Sequence, residues 1–148
     1  MEKIQKETNL KDKKEQGLLI MLQEAQNKFG FIPEECISEA AQSFNISKST
    51  VFGVASFYSF LSTKPLGKNV IRICKNLPCN LKNSRMVIEH VADKLGIKPG
   101  ETTPDGKFSL ELTNCIGACD KAPAMLINND VHVNLTPEKI TQILNNYN

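Results

Sequence analysis

Four of the five cysteines in this chain fall into two close pairs. Cys74 and Cys79 bracket KNLP, and Cys115 and Cys119 bracket IGA. Thiolates at such spacing either ligate soft or borderline metals or carry out redox chemistry of their own. Each pair follows a β-type run, NVIRI before Cys74 and FSLELTN before Cys115, so each lies where a strand gives way to a loop. Strand-end loops are where a rigid scaffold displays chemistry. Distant in sequence, the two loops can meet at one end of a sheet and bring four sulfurs together.

Three chemistries compete for such a set. Structural zinc favours two C-x₂-C knuckles, because a tight turn brings both sulfurs onto one ion. The spacings here, C-x₄-C and C-x₃-C, are looser than that. A 2Fe–2S cluster offers two irons, each needing two sulfurs, and its larger body tolerates wider loops; C-x₄-C also occurs in plant-type ferredoxins, whose remaining spacing differs. Thiol oxidoreductase chemistry calls for C-x-x-C, which the chain lacks. Spacing therefore favours the cluster and leaves zinc and unligated thiols open. Gly117 would let the backbone approach an inorganic sulfide closely. Arg72, Lys75, Lys82 and Lys121 lie near the cysteines in sequence, where they either offset cluster charge or serve as ordinary solvated charges. Pro78 and Pro123 stiffen the loops. Cys36, alone beside Ile37 and Ala40, reads as a packing residue. His90 and His132 read as structural or surface residues, because four cysteines complete a ligand set.

These loops need a scaffold. Residues 1–16 are polar and charged and read as a flexible N-terminus. From 17 to 62 the pattern is helical. GLLIMLQEAQNKF places Leu18, Leu22, Ala25 and Phe29 on one face, with Gly30 as a stop. PEECISEAAQSF, with Pro33 in its first turn, has a stripe of Ile37, Ala40, Ala41 and Phe44. Ser47 caps a third helix, KSTVFGVASFYSF, whose nearly all-round apolarity predicts cover on several sides, by the core or by a docked partner. Residues 63–69, TKPLGKN, read as a linker. From 70 to 148 the order is strand, helix, strand, strand, strand, helix. SRMVIEHVADKLG forms the first of these helices, FSLELTNC alternates Phe108, Leu110 and Leu112 inward, AMLIN and VHVNL form a hairpin, and Thr136–Pro137 open the closing helix. The fold class is α/β: a helical bundle followed by a small sheet that needs helices to cover it.

Composition excludes several functions. At 148 residues, 41% hydrophobic and 23% charged, the chain has the make-up of a folded protein of one domain, or of a small domain with an extension. A net charge of +2 is too small to argue for nucleic acid or an anionic membrane as partner. No apolar run reaches membrane-spanning length, and the N-terminus lacks the h-region of a signal peptide, so a cytoplasmic chain with reduced thiols is expected. An odd number of cysteines also disfavours a disulfide framework. EAAQSFNISKSTVFGVASFYS mimics a helix-turn-helix. Past Lys48, Ser49 and Thr50, however, its second helix turns apolar, which disfavours a DNA-binding redox sensor.

Several stretches together resemble one family: LIMLQEAQNKFGFIPEE, VASFYSFLSTKPLGKNVIRIC, the two cysteine pairs, KPGETTPDGKFSLELTNCIGACDKAPAMLIN and LTPEKITQIL. The chain is similar to the small thioredoxin-like 2Fe–2S subunit of NADH:quinone oxidoreductase (complex I) and its counterparts in NAD(P)-linked hydrogenases, bifurcating ones included, and formate dehydrogenases. The resemblance spans nearly the whole chain. It implies a thioredoxin-like 2Fe–2S ferredoxin domain over 70–148 and a single cluster on Cys74, Cys79, Cys115 and Cys119. It also implies an electron-transfer role without independent catalysis, beside a flavoprotein subunit that binds FMN and NAD(P)H and with further iron–sulfur subunits. Any membrane association would be peripheral and through those partners. The chain itself has no G-x-G-x-x-G after a strand, so neither nucleotide nor flavin is expected on it. One departure stands out. Many relatives carry C-x-G-x-x-C in the first loop where this chain has KNLP, which alters the hydrogen bonding around the first pair.

Overall fold

A computed structural model of the chain describes residues 17–147. The flexible segment expected over 1–16 lies outside them. The fold is α/β and divides into two compact units, with the break between Pro65 and Leu66.

The first unit holds three helices: α1 (17–29), α2 (Glu34–Phe44) and α3 (Lys48–Phe57). Leu18 and Leu22 of α1 meet Ile37, Ala40 and Ala41 of α2 and Val51 and Ala55 of α3, with Ile32 between, in one apolar core, and Ala25 of α1 is buried as well. Local chemistry sets the boundaries. Asn45 ends α2 in the left-handed conformation, and the Ser47 side chain accepts from Thr50 N at 3.1 Å to start α3. The Gln26 side chain reaches across to Phe60 O and Ser62 N, at 2.6 and 2.7 Å, which ties the end of the unit to α1. Two expectations need correction. Phe29 is exposed rather than part of the α1 core face: it lies in the last turn, at the rim of a cavity that Glu35, Cys36 and Glu39 of α2 also line. Nor do the described residues cover α3 on several sides: Phe52 and Phe57 are exposed, since a ten-residue helix in a three-helix unit buries one side only.

The second unit is a four-stranded sheet with helices against it. Its order is β1 (Asn69–Cys74), α4 (Leu77–Leu81), α5 (Ser84–Leu95), β2 (Phe108–Thr113), β3 (Met125–Ile127), β4 (Asp130–His132) and α6 (Pro137–Asn146). Across the sheet the strands run β2-β1-β3-β4, with β1 and β2 parallel and the remaining pairs antiparallel. The parallel pair uses α5 as its crossover, as such pairs require. Central β1 is buried along nearly its whole length, and β2 buries Ser109 and Thr113 as fully as Leu110, leaving Glu111 and Leu112 half-buried. Ile71, Ile73, Leu110, Met125 and Ile127 meet Val87 and Val91 of α5 and Ile140 and Leu144 of α6 in a second core. Gly96 closes α5 with φ 67°, and Thr136 caps α6 by accepting from Lys139 N at 3.3 Å. No helix among the described residues is long and apolar enough to cross a membrane.

Gly67 is built onto the sheet. Its N–H donates to Ser109 Oγ at 2.7 Å, and a Cβ on it would lie 2.9 Å from the Phe108 carbonyl carbon and 3.0 Å from Gly106 O. Those neighbours are backbone and cannot swing aside. Gly67→Ala is therefore expected to destabilise the second unit by about 1–3 kcal/mol through overpacking. Urea denaturation followed by the exchange protection of β2 amides would measure it, and unchanged protection would show that the approach is not tight.

Candidate metal centre

The parallel register pairs Asn69 with Phe108 and Cys74 with Thr113. Both strands therefore end at the same edge of the sheet, and both cysteine loops leave from there. Lys75 N donates to Thr113 O at 3.0 Å, which extends the ladder one residue past Cys74 and fixes where the first loop begins.

The first loop is not irregular. Residues 77–81 wind into α4, with Asn76 in an extended conformation before it and Pro78 in its first turn, where the missing N–H costs nothing. Asn80 N bonds Asn76 O, Lys82 N bonds Cys79 O, and Asn83, at φ 66°, redirects the chain into α5. Cys74 at the strand end and Cys79 on the inner face of α4 are both buried, Cys79 to 1% exposure. This short helix is the site feature that sequence patterning missed. Its signal was Pro78 two residues after Asn76, a helix-start pattern hidden by the brevity of the segment.

The second loop is held by turns and by backbone ties. Gly117 takes φ +85°, a left-handed conformation that glycine adopts freely, and nothing in the chain stands where its Cβ would be. Its N–H points at Cys115 Sγ, 3.4 Å away, and Cys115 and Cys119 lie 3.3 Å apart, sulfur to sulfur. A 3-10 turn over Cys119–Lys121 and a cis Ala122–Pro123 bond follow. Asn134 N to Lys121 O and Leu135 N to Pro123 O, at 2.9 and 3.1 Å, anchor the loop to the start of α6. Both thiols of this loop are exposed.

The four thiols sense one another. Burial, then the neighbouring Cys74 thiol, then the charges of Cys74, Cys119 and Cys115 push Cys79 up to about 12. The Gly117 amide and then the Cys119 thiol hold Cys115 below the usual thiol range, and Cys119 is raised by its bond to Cys115. Yet no three His, Cys, Asp or Glu side chains among the described residues are gathered to hold a single metal ion. Cys79 is in thiol contact with Cys74 and Cys119, and Cys119 with Cys115, so the four sulfurs form one linked set at the sheet end. Four mutually repelling thiolates, two inside and two outside, fit a body with more than one cationic centre. Four thiols at one sheet end are a donor set of the kind that a 2Fe–2S cluster takes.

Among the other residues singled out from sequence, Cys36 packs at the edge of the helical core in the first unit. His90 pairs with Thr141 at 3.0 Å and His132 with Tyr147 at 3.4 Å. Arg72 is buried beside Glu111, its register partner on β2. Desolvation lowers its pKa and the carboxylate works against that shift. Lys75, Lys82 and Lys121 are exposed. In the reduced, metal-free chain, iodoacetamide is expected to alkylate Cys115 first and Cys79 last, read by peptide mass spectrometry over time. Equal rates at all four would show that the first loop opens without metal.

The comparisons with known proteins agree with this geometry. The family model for the thioredoxin-like [2Fe-2S] ferredoxin matches residues 1–148. The chain is 35% identical over 145 residues to the E subunit of NADH-quinone oxidoreductase from Aquifex aeolicus, a match that covers 98% of this chain and 91% of that one. It is 42% identical over 122 residues to the Escherichia coli protein of the same name, covering 82% and 74%. In fold it is similar to an NAD+-reducing [NiFe]-hydrogenase, with TM-score 0.71 and 22% identity over 86% of this chain, which spans only 22% of that hydrogenase chain. The chain belongs to the thioredoxin-like [2Fe-2S] ferredoxin family.

Proposed function

We propose that the chain is the electron-transfer subunit of an NAD(P)H-linked oxidoreductase complex, with one 2Fe–2S cluster on Cys74, Cys79, Cys115 and Cys119. One observation carries the reading: the parallel β1–β2 pair delivers two thiol pairs to the same sheet end, one buried and one exposed. Cys74 and Cys79 would hold one iron, and Cys115 and Cys119 the other. The partner would be a flavoprotein that binds FMN and NAD(P)H, with further iron–sulfur subunits beyond it. Such a subunit would sit in the cytoplasm and reach any membrane only through its partners. The names of the relatives, an NADH-quinone oxidoreductase subunit and an NAD+-reducing hydrogenase, support this setting.

When bound, such a cluster takes up and releases one electron at a time. The chain supplies the rest. The β1 end and α4 seal the Cys74–Cys79 side from water, while the second loop leaves Cys115 and Cys119 open, which gives electrons a short way in and out. The Gly117 amide donates to Cys115 Sγ. Such donors stabilise the added negative charge of a reduced centre and raise its potential.

Iron, zinc and acid-labile sulfide, measured on protein purified without oxygen, are expected at about two irons and two sulfides per chain with little zinc. Alanine at Cys74, Cys79, Cys115 or Cys119 should each abolish that content, whereas Cys36→Ala should leave it unchanged. Zinc near one per chain without sulfide would overturn the reading, as would a normal cluster in Cys74→Ala.

A further inference from the structure

α4 has two faces of opposite character. Cys79 points inward at 1% exposure, while Leu77 and Leu81, four residues apart and so on one side of the helix, are 68% and 78% exposed. They are the most exposed large apolar side chains described in the second unit. Neither contributes to the core, so both leave apolar surface in water that a partner could cover. Lys75 and Lys82 flank them, both exposed, and residues 75–83 contain no acidic side chain. Nearby Arg85 is already paired with Glu89 at 2.9 Å and adds little to that charge. The result is a small apolar patch with an unbalanced positive rim, set directly over a candidate cluster ligand.

We infer that this face of α4 is the docking surface for an electron-exchanging protein whose contact is apolar and rimmed by Asp and Glu. The inference rests on the cluster reading above. Electron transfer falls steeply with distance, so a partner seated on Leu77 and Leu81 gains reach to the Cys79 side that a partner elsewhere lacks. Lys75 and Lys82 supply steering towards an acidic surface, a contribution to encounter rate that salt screens. The apolar pair supplies the contact that follows encounter.

The test uses the cluster-loaded chain, reduced with dithionite and mixed in stopped flow with an oxidised acidic flavodoxin. Basic cytochrome c and the small neutral oxidant benzoquinone serve as controls. Leu77→Gln/Leu81→Gln and, separately, Lys75→Glu/Lys82→Glu are each expected to slow flavodoxin reduction about tenfold at low salt. The charge reversal should also speed cytochrome c reduction and flatten the salt dependence. Iron content, visible spectrum and the benzoquinone rate should stay as in the parent chain. Unchanged flavodoxin rates in both loaded variants would overturn the surface, as would an equal slowing with benzoquinone, which would mean an altered cluster instead. Binding to anionic vesicles that both variants abolish, with flavodoxin kinetics untouched, would reassign the patch to a lipid surface and overturn it too. A parent chain without iron and sulfide would overturn the cluster reading, and the surface with it.

Discussion

Parallel pairing of β1 with β2 is the constraint on which the thiol site depends. Two strands that run the same way, in register from Asn69–Phe108 to Cys74–Thr113, must release their following loops at one edge. Six residues of antiparallel pairing would instead have set the two loops about 20 Å apart, at opposite ends of the sheet. No loop of four or three intervening residues spans that gap. The crossover through α5 that makes the pair parallel is thus as much a part of the site as the cysteines. The core that fastens α5 to the sheet, through Val87 and Val91 against Ile71 and Leu110, holds the sulfurs together from a distance.

From that frame the two loops solve different problems. The first must bury two thiols while turning the chain from strand to helix. It does so with a five-residue helix that points one sulfur in and two leucines out. The second must leave its thiols accessible yet ordered. It relies on a left-handed glycine, a 3-10 turn and two backbone bonds to the segment before α6. Their polarity differs accordingly. Burial keeps Cys79 protonated longest, and an exposed amide donor makes Cys115 the readiest thiolate. A cation placed between them would relieve the repulsion that each thiolate exerts on the others.

Much of this was legible in the sequence, because local signals and tertiary demands coincide. Gly30, Ser47, Gly96 and Thr136 end or begin helices through backbone chemistry that needs no partner; the alternation in FSLELT located β2 but not its burial, since Ser109 and Thr113 are covered too while Leu112 is half-buried. The inward stripe of α2 followed from periodicity alone. Phe29 did not, since periodicity assigns a face but cannot say which residues on it a neighbouring helix covers. All-round apolarity in α3 led to an expectation of cover that the described residues do not provide, and Phe52 and Phe57 stay exposed among them. α4 escaped notice for the opposite reason: five residues are too few to show a period. The cysteine spacing pointed to the chemistry, but the convergence of the pairs is a property of strand direction, which no short motif encodes.

The shared register of β1 and β2 also works as a ruler for length variation. A single residue gained or lost within 69–74 or 108–113 would rotate the terminal cysteine, or the residue leading to it, to the other face of the sheet. Length changes in this protein are therefore confined by geometry to places that do not count along that ruler, outside both runs. Drift in length outside those runs leaves the two strand ends level, so the sulfurs stay where they are.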